Sequence, residues 1–85
     1  MATYRVLWLE IAEQQYMDLP HAARDLVDEI LDRLAQTPAT LPAAGYHEPS
    51  DQWSVPIGDQ GFVFYAVVED RATVIILRVI HILTT

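Results

Sequence analysis

Polar and apolar residues alternate from Thr3 to Trp8, with Tyr4, Val6 and Trp8 on one side and Thr3, Arg5 and Leu7 on the other. A period of two marks a β-strand. Residues 9–17 are richer in helix formers, with Ala12 and Tyr16 four apart, and predict a first, shorter helix. Ala23, Leu26, Val27, Ile30, Leu31 and Leu34 then recur at i, i+3, i+4, i+7, which predicts a second, amphipathic helix. Its other face carries Arg24, Asp25, Asp28, Glu29, Asp32 and Arg33. Arg24–Asp28 and Glu29–Arg33 are favourable i,i+4 pairs, each worth about 0.2–0.5 kcal/mol, and Asp28–Asp32 offsets one of them. Asp18, two residues before Pro20, predicts an N-cap region with proline in the first turn, and Pro38 ends the helical region.

Residues 37–50, TPATLPAAGYHEPS, hold three prolines and a glycine and read as a loop. Trp53, Val55 and Ile57 alternate as a strand in which Pro56 marks a bulge or an edge. Residues 61–68 and 72–80 predict a hairpin about Glu69-Asp70-Arg71. Its strands are apolar on both faces, which places them centrally in a sheet. The element order is β-α-α-β-β-β. The expected α+β fold packs a two-helix hairpin on one face of a four-stranded, mainly antiparallel sheet. Leu26, Ile30, Leu34, Leu77 and Val79 are expected in the apolar layer between them.

Composition narrows the function classes. The 85 residues suit one domain, residues 1–85, with a single core that hides roughly 60–65% of the unfolded chain's surface. A hydrophobic fraction of 52% argues against disorder. No run approaches the ~20 apolar residues that span a bilayer. MATYRVLWLEIAEQQ, with one early arginine and interrupted by Glu10 and Glu13, does not fit a signal peptide, so a cytoplasmic location is expected. The absence of cysteine excludes disulfides, thiolate metal sites and cysteine nucleophiles. His21 and His47 have no spaced partners, and adjacent His47 and Glu48 cannot share an ion without a distant third ligand. Neither metal nor cofactor is expected. The Gly58–Gly61 pair is too short and isolated to cradle a phosphate and reads as a turn.

Charge has the most to say about partners. Five arginines, no lysine and twelve acidic residues leave a net charge of −7. Much of a protein's affinity for nucleic acid comes from cationic groups displacing counterions, so this chain is poorly suited to it unless its arginines cluster. A basic protein partner is the natural complement. Trp53, Phe62, Phe64 and Tyr65 have the rings to stack on bases, but with so few cations they fit core packing or a protein interface better.

The element order, the segment YRVLW, the helix DLPHAARDLVDEILDRLAQTP and the meander WSVPIGDQGFVFYAVVEDRATVIILRVIH together resemble the RelE/ParE superfamily of bacterial toxins from type II toxin–antitoxin modules. The resemblance covers nearly the whole chain. It implies a toxin silenced by a cognate antitoxin, alone or in a homo-oligomer or toxin–antitoxin hetero-oligomer, and aimed at DNA gyrase or at the ribosome and its mRNA. Members resembling RelE and YoeB cut mRNA in the ribosomal A site without a metal. ParE-like members act on gyrase and lack the nuclease residues.

For the nuclease, the resemblance singles out His81 as general acid and Glu48 as general base, and Arg78 is this chain's candidate to replace in part a phosphate cation of the family that it lacks. The nuclease pattern also has an arginine after the turn, where this chain has Gly61 in GDQGFVFY. A second cation or tyrosine often follows the histidine; here Ile82 does, and no tyrosine comes after it through Thr85. Arg78 and His81 are three apart, so on a regular strand they face opposite ways, and sharing one site needs a bulge. Two readings stand: a metal-independent ribonuclease with a reduced site, or a toxin that acts through protein contacts.

Overall fold

In the computed structural model, which describes residues 3–38, 41 and 43–82, the alternating N-terminal stretch forms strand β1, Arg5–Trp8. It leads directly into helix α1, Glu10–Met17, and then helix α2, His21–Leu34. Four more strands follow: β2 Gly45–His47, β3 Gln52–Pro56, β4 Gly61–Val68 and β5 Thr73–His81. They form one sheet in the order β1-β5-β4-β3-β2. Only β1 with β5 is parallel; the other pairs are antiparallel. The hairpin strands are interior, as apolarity on both faces requires.

The fifth strand corrects the expected four. β2 lies in the proline-rich stretch that reads as a loop, of which residues 39–40 and 42 lie outside the described residues. All three β2 residues are exposed, so no burial alternation marks them in the sequence. Contacts on both faces hold it. The Tyr46 ring lies 5.1 Å from that of Trp53, which stacks on Tyr65, and His47 Nε2 is 2.9 Å from Ser54 Oγ.

Asp18 does not cap α2. It closes α1 instead, its N–H donating to the Gln14 carbonyl and the next N–H, of Leu19, to that of Tyr16, while Pro20 precedes α2 with no side-chain cap. The expected Arg24–Asp28 and Glu29–Arg33 pairs are replaced among the described residues by an exposed His21–Asp25 contact at 3.8 Å. Asp28 accepts a hydrogen bond from the Tyr16 hydroxyl and so ties the two helices together.

The core lies between the helices and one face of the sheet. Ala12, Ala23, Val27 and Leu34 meet Val55, Ile57, Val63, Tyr65, Val74, Ile76 and Val79 there. Leu26 and Ile30 pack at its margin, half-buried. Leu77, expected in the core, is also only half-buried. The reason is a bulge: Phe64 pairs with Arg78 but Tyr65 pairs with Ile76, so Leu77 is the extra residue. Val74 and Ile76 therefore share the inner face with Val79, while Ile75, Arg78 and Ile80 share the outer one.

Local hydrogen bonding follows from where strands end. β1 runs out at Trp8 beside Ile76, and the Val79 N–H beyond it donates to Gln15 Oε1 of α1 at 2.8 Å. Pro56 fits because the Ile57–Gly61 bond makes Pro56–Phe62 a pair without ladder bonds to β4. Its nitrogen faces the side where β2 has already ended opposite Ser54.

Tyr65 is fully buried, and its hydroxyl donates to the Pro38 carbonyl at 2.9 Å, fastening the segment after α2. Burial pushes its pKa up to about 12 from 10.0. The raised value means that the folded state favours the neutral phenol. This contribution is present below pH 10 and is lost as pH rises from 10 towards 12. We expect an alkaline loss on the order of 2 kcal/mol, measured by urea unfolding at stepped pH. In Tyr65→Phe that loss should shrink, while stability at neutral pH falls by about 1–3 kcal/mol as the Pro38 carbonyl loses its partner. An unchanged alkaline limb in Tyr65→Phe would remove Tyr65 as its cause.

Candidate functional site on the open face of the sheet

Both helices cover one face of the sheet, which leaves the other open. Strand alternation and the bulge place Arg5 and Leu7 of β1, Ile75, Arg78 and Ile80 of β5, Phe62 and Phe64 of β4 and Ser54 of β3 on it. Leu7 and Phe62 are 45% and 40% exposed, large values for apolar side chains on a sheet surface. With the half-buried Phe64, Ile75 and Ile80 on the same face they give an apolar surface of the kind that marks an interaction site.

Across the middle of this face runs a row contributed by four strands. The Arg78 guanidinium lies 4.5 Å from the centre of the Phe64 ring, and the His47 ring lies 6.4 Å from the same ring. His47 in turn contacts Ser54. A cation over an exposed aromatic face contributes about 0.5–1 kcal/mol and holds the guanidinium flat against the sheet. This row can receive a planar or weakly anionic group. Its one cation is already engaged with a ring, a poor arrangement for clamping the charge that develops in phosphoryl chemistry.

The residues suggested for nuclease chemistry lie apart. Arg78 is on the open face beside Ile80, and His81 follows Val79 onto the helix side, where it is half-buried opposite Gly61. The bulge at Leu77 precedes both residues and leaves them on opposite faces. Glu48 is exposed in a single 3-10 turn, Glu48–Ser50, that follows edge strand β2. β2 is three strand spacings from β5, about 14 Å. Glu48 also lies near the Tyr65 end of β4, whereas His81 faces Gly61 at the other end, so their backbones are on the order of 20 Å apart.

Gly61 has its own constraint. Its φ is +154°, and a Cβ built there would lie 1.9 Å from the Ile80 carbonyl oxygen. The backbone at this position excludes any side chain, cationic or otherwise. Ile82, where a second cation or tyrosine often stands, is exposed, and its N–H donates to the Gln60 carbonyl.

His47 enters the row because β2 pairs with β3, and the sequence holds no cue to that pairing in a stretch of three prolines. Charge is also divided between the faces. Arg5 and Arg78 lie on the open face and Arg71 beside it, while α1 and α2 carry Glu10, Glu13, Asp25, Asp28, Glu29 and Asp32 against Arg24 and Arg33. Among the described residues no group of His, Asp and Glu could hold a metal ion, and no helix is long and apolar enough to cross a membrane.

Solved structures share this architecture. The toxin–antitoxin complex RelBE2 from Mycobacterium tuberculosis contains a chain 24% identical to this one, superposed with a TM-score of 0.77 over 93% of this chain and 98% of its own length. The isolated RelE toxin of E. coli is 16% identical, with a TM-score of 0.80 over 96% of this chain and 87% of its own. The archaeal RelE–RelB complex from Pyrococcus horikoshii is 22% identical, with a TM-score of 0.76 over 93% and 94%. No curated protein matches the sequence. Residues 6–82 match the family model of the ParE toxin of the type II toxin–antitoxin system parDE, and the chain belongs to that family.

Proposed function

We propose that this toxin acts in the cytoplasm by binding a protein target, as in ParE-like inhibition of DNA gyrase, and does not cut mRNA. The observation that carries this reading is Gly61. The position of the nuclease family's phosphate-binding arginine is one where the Ile80 carbonyl leaves no room for a Cβ. The scatter of His81, Arg78 and Glu48 over two faces and both ends of the sheet points the same way. An open face with exposed Leu7 and Phe62 suits a protein contact.

A cognate antitoxin silences the toxin, and two of the solved relatives are themselves toxin–antitoxin complexes. The Tyr4 N–H at the start of the β1 edge is taken by the Ala35 carbonyl, but from Val6 to Trp8 the edge is unpaired among the described residues and suits such a partner. Arg5 and Leu9 donate their N–H groups towards β5, so Val6 and Trp8 present theirs outward, ready for an added strand.

The test is a pair of assays on purified protein: supercoiling by gyrase, and A-site cleavage in a purified translation system. We expect inhibition in the first and no cleavage in the second. His81→Ala, Arg78→Lys and Glu48→Ala should inhibit gyrase as well as the parent does. Robust ribosome-dependent cleavage, lost in His81→Ala while the variant stays folded, would overturn the proposal and restore the ribonuclease reading. Inactivity in both assays would overturn both readings.

A further inference from the structure

The end of the open face beside the β4–β5 turn holds a cavity of about 400 Å³, lined by Arg5, Leu7, Val68, Arg71, Thr73 and Ile75. We infer that it receives the carboxylate of an acidic residue on an extended partner segment, with an apolar residue of the same segment two positions away. The inference rests on the reading of this protein as one that works through protein contacts, and it names the chemistry of one such contact.

The lining has two parts. Leu7, Ile75 and Val68 supply apolar surface, with Leu7 and Ile75 paired across β1 and β5. Arg5 and Arg71 supply two guanidinium groups, each able to bind a carboxylate through two parallel N–H donors. Among the described residues no carboxylate lines the cavity and neither arginine is ion-paired. Glu69, two residues before Arg71, is engaged elsewhere: the Tyr4 hydroxyl donates to its Oε2 at 2.6 Å. Tyr4 precedes Arg5 and so points to the opposite side of β1. Thr73 Oγ1 donates to the Arg71 carbonyl at 2.9 Å and fixes the turn that carries the second arginine.

The stretch of the β1 edge from Val6 to Trp8, unpaired among the described residues, determines how an occupant arrives. A strand added there lies about 4.8 Å from β1 and presents alternate side chains to the open face. The positions beside Arg5 and Leu7 are two residues apart on such a strand, one favouring an acid and the other an apolar side chain. A nucleic acid strand fits less well, because it brings a phosphate at every step to a protein of net charge −7 and gains nothing from the apolar part. Net charge alone predicts a basic partner. The distribution confines that prediction to the helical side and reverses it here.

The experiment uses a synthetic seven-residue peptide with glutamate two positions before valine, titrated into ¹⁵N-labelled protein. Amide shifts should be concentrated at Val6 and Trp8, whose N–H groups the added strand would bond, and at Arg5, Leu7, Thr73 and Ile75 around the cavity, and binding should weaken as salt rises. The Arg5→Gln/Arg71→Gln double variant should bind roughly tenfold more weakly. Arg24→Gln/Arg33→Gln, with the same charge change on the helical side, should bind like the parent. The inference is overturned if the first double variant binds like the parent while folded. It is equally overturned if a lysine-for-glutamate peptide binds as well, or if oligothymidylate shifts the same amides more strongly. The titration requires neither gyrase nor growth arrest, so peptide binding without gyrase inhibition would count against the proposed target alone.

Discussion

Gly61→Arg, the replacement that would return a cation to the position after the turn, is expected to unfold the protein rather than give it a nuclease site. The obstacle is backbone. The first side-chain carbon would lie 1.9 Å from the Ile80 carbonyl oxygen and 2.9 Å from the carbonyl carbon, and no rotamer of the arginine relieves that. Gly61 opens β4 opposite His81, so relief requires the two central strands to separate at this end. A residue forced into a sparsely populated backbone region already costs about 1–3 kcal/mol, and lost strand pairing adds to it. A protein of this size has a total stability of roughly 4–13 kcal/mol. Gly61→Ala is the cleaner probe, since it adds the Cβ and no charge. Its melting temperature should fall by more than about 10 °C. A parent-like melt for Gly61→Ala would show that the strands adapt easily, and the case against a nuclease would lose its main support.

How much of this was legible in the sequence depended on whether burial left a pattern. In α2 the buried Ala23, Val27 and Leu34 recur at helical spacing because a single face meets the sheet. β1 alternates because only one of its faces is covered, and the hairpin strands are apolar on both faces because they are interior. β2 left no trace: all its residues are exposed, and its pairing depends on Tyr46 and His47 finding partners on β3. Asp18 shows the limit of capping signals. An aspartate between two closely spaced helices can close the first as readily as open the second, and here the N–H of Asp18 closes α1. At the candidate site, the opposition of Arg78 and His81 followed from strand geometry alone. The association of Arg78 with Phe64, Ser54 and His47 needed the register of four strands, and no single segment encodes that.

The bulge in β5 offers the sharpest test of that register. In VIILRVIH every residue but the arginine and histidine is apolar, so nothing in the segment says where an extra residue sits. A regular strand that buries Val79 also buries Leu77 and turns Ile76 outward with Arg78. The observed strand buries Ile76 and Val79 and leaves Leu77 half-exposed between them. Ile76→Ala should therefore open a cavity against the helices and cost about 2–5 kcal/mol, while Leu77→Ala should cost about 1 kcal/mol. Both are measured by chemical denaturation, with the slope unchanged so that the midpoint reports stability. A slip of one residue moves every side chain to the other face, so the two arrangements predict opposite rankings, not merely different sizes. If Leu77→Ala proves the costlier change, the strand is regular. Ile75 and Ile80 then no longer share a face, and the apolar open surface on which the partner reading rests is broken up.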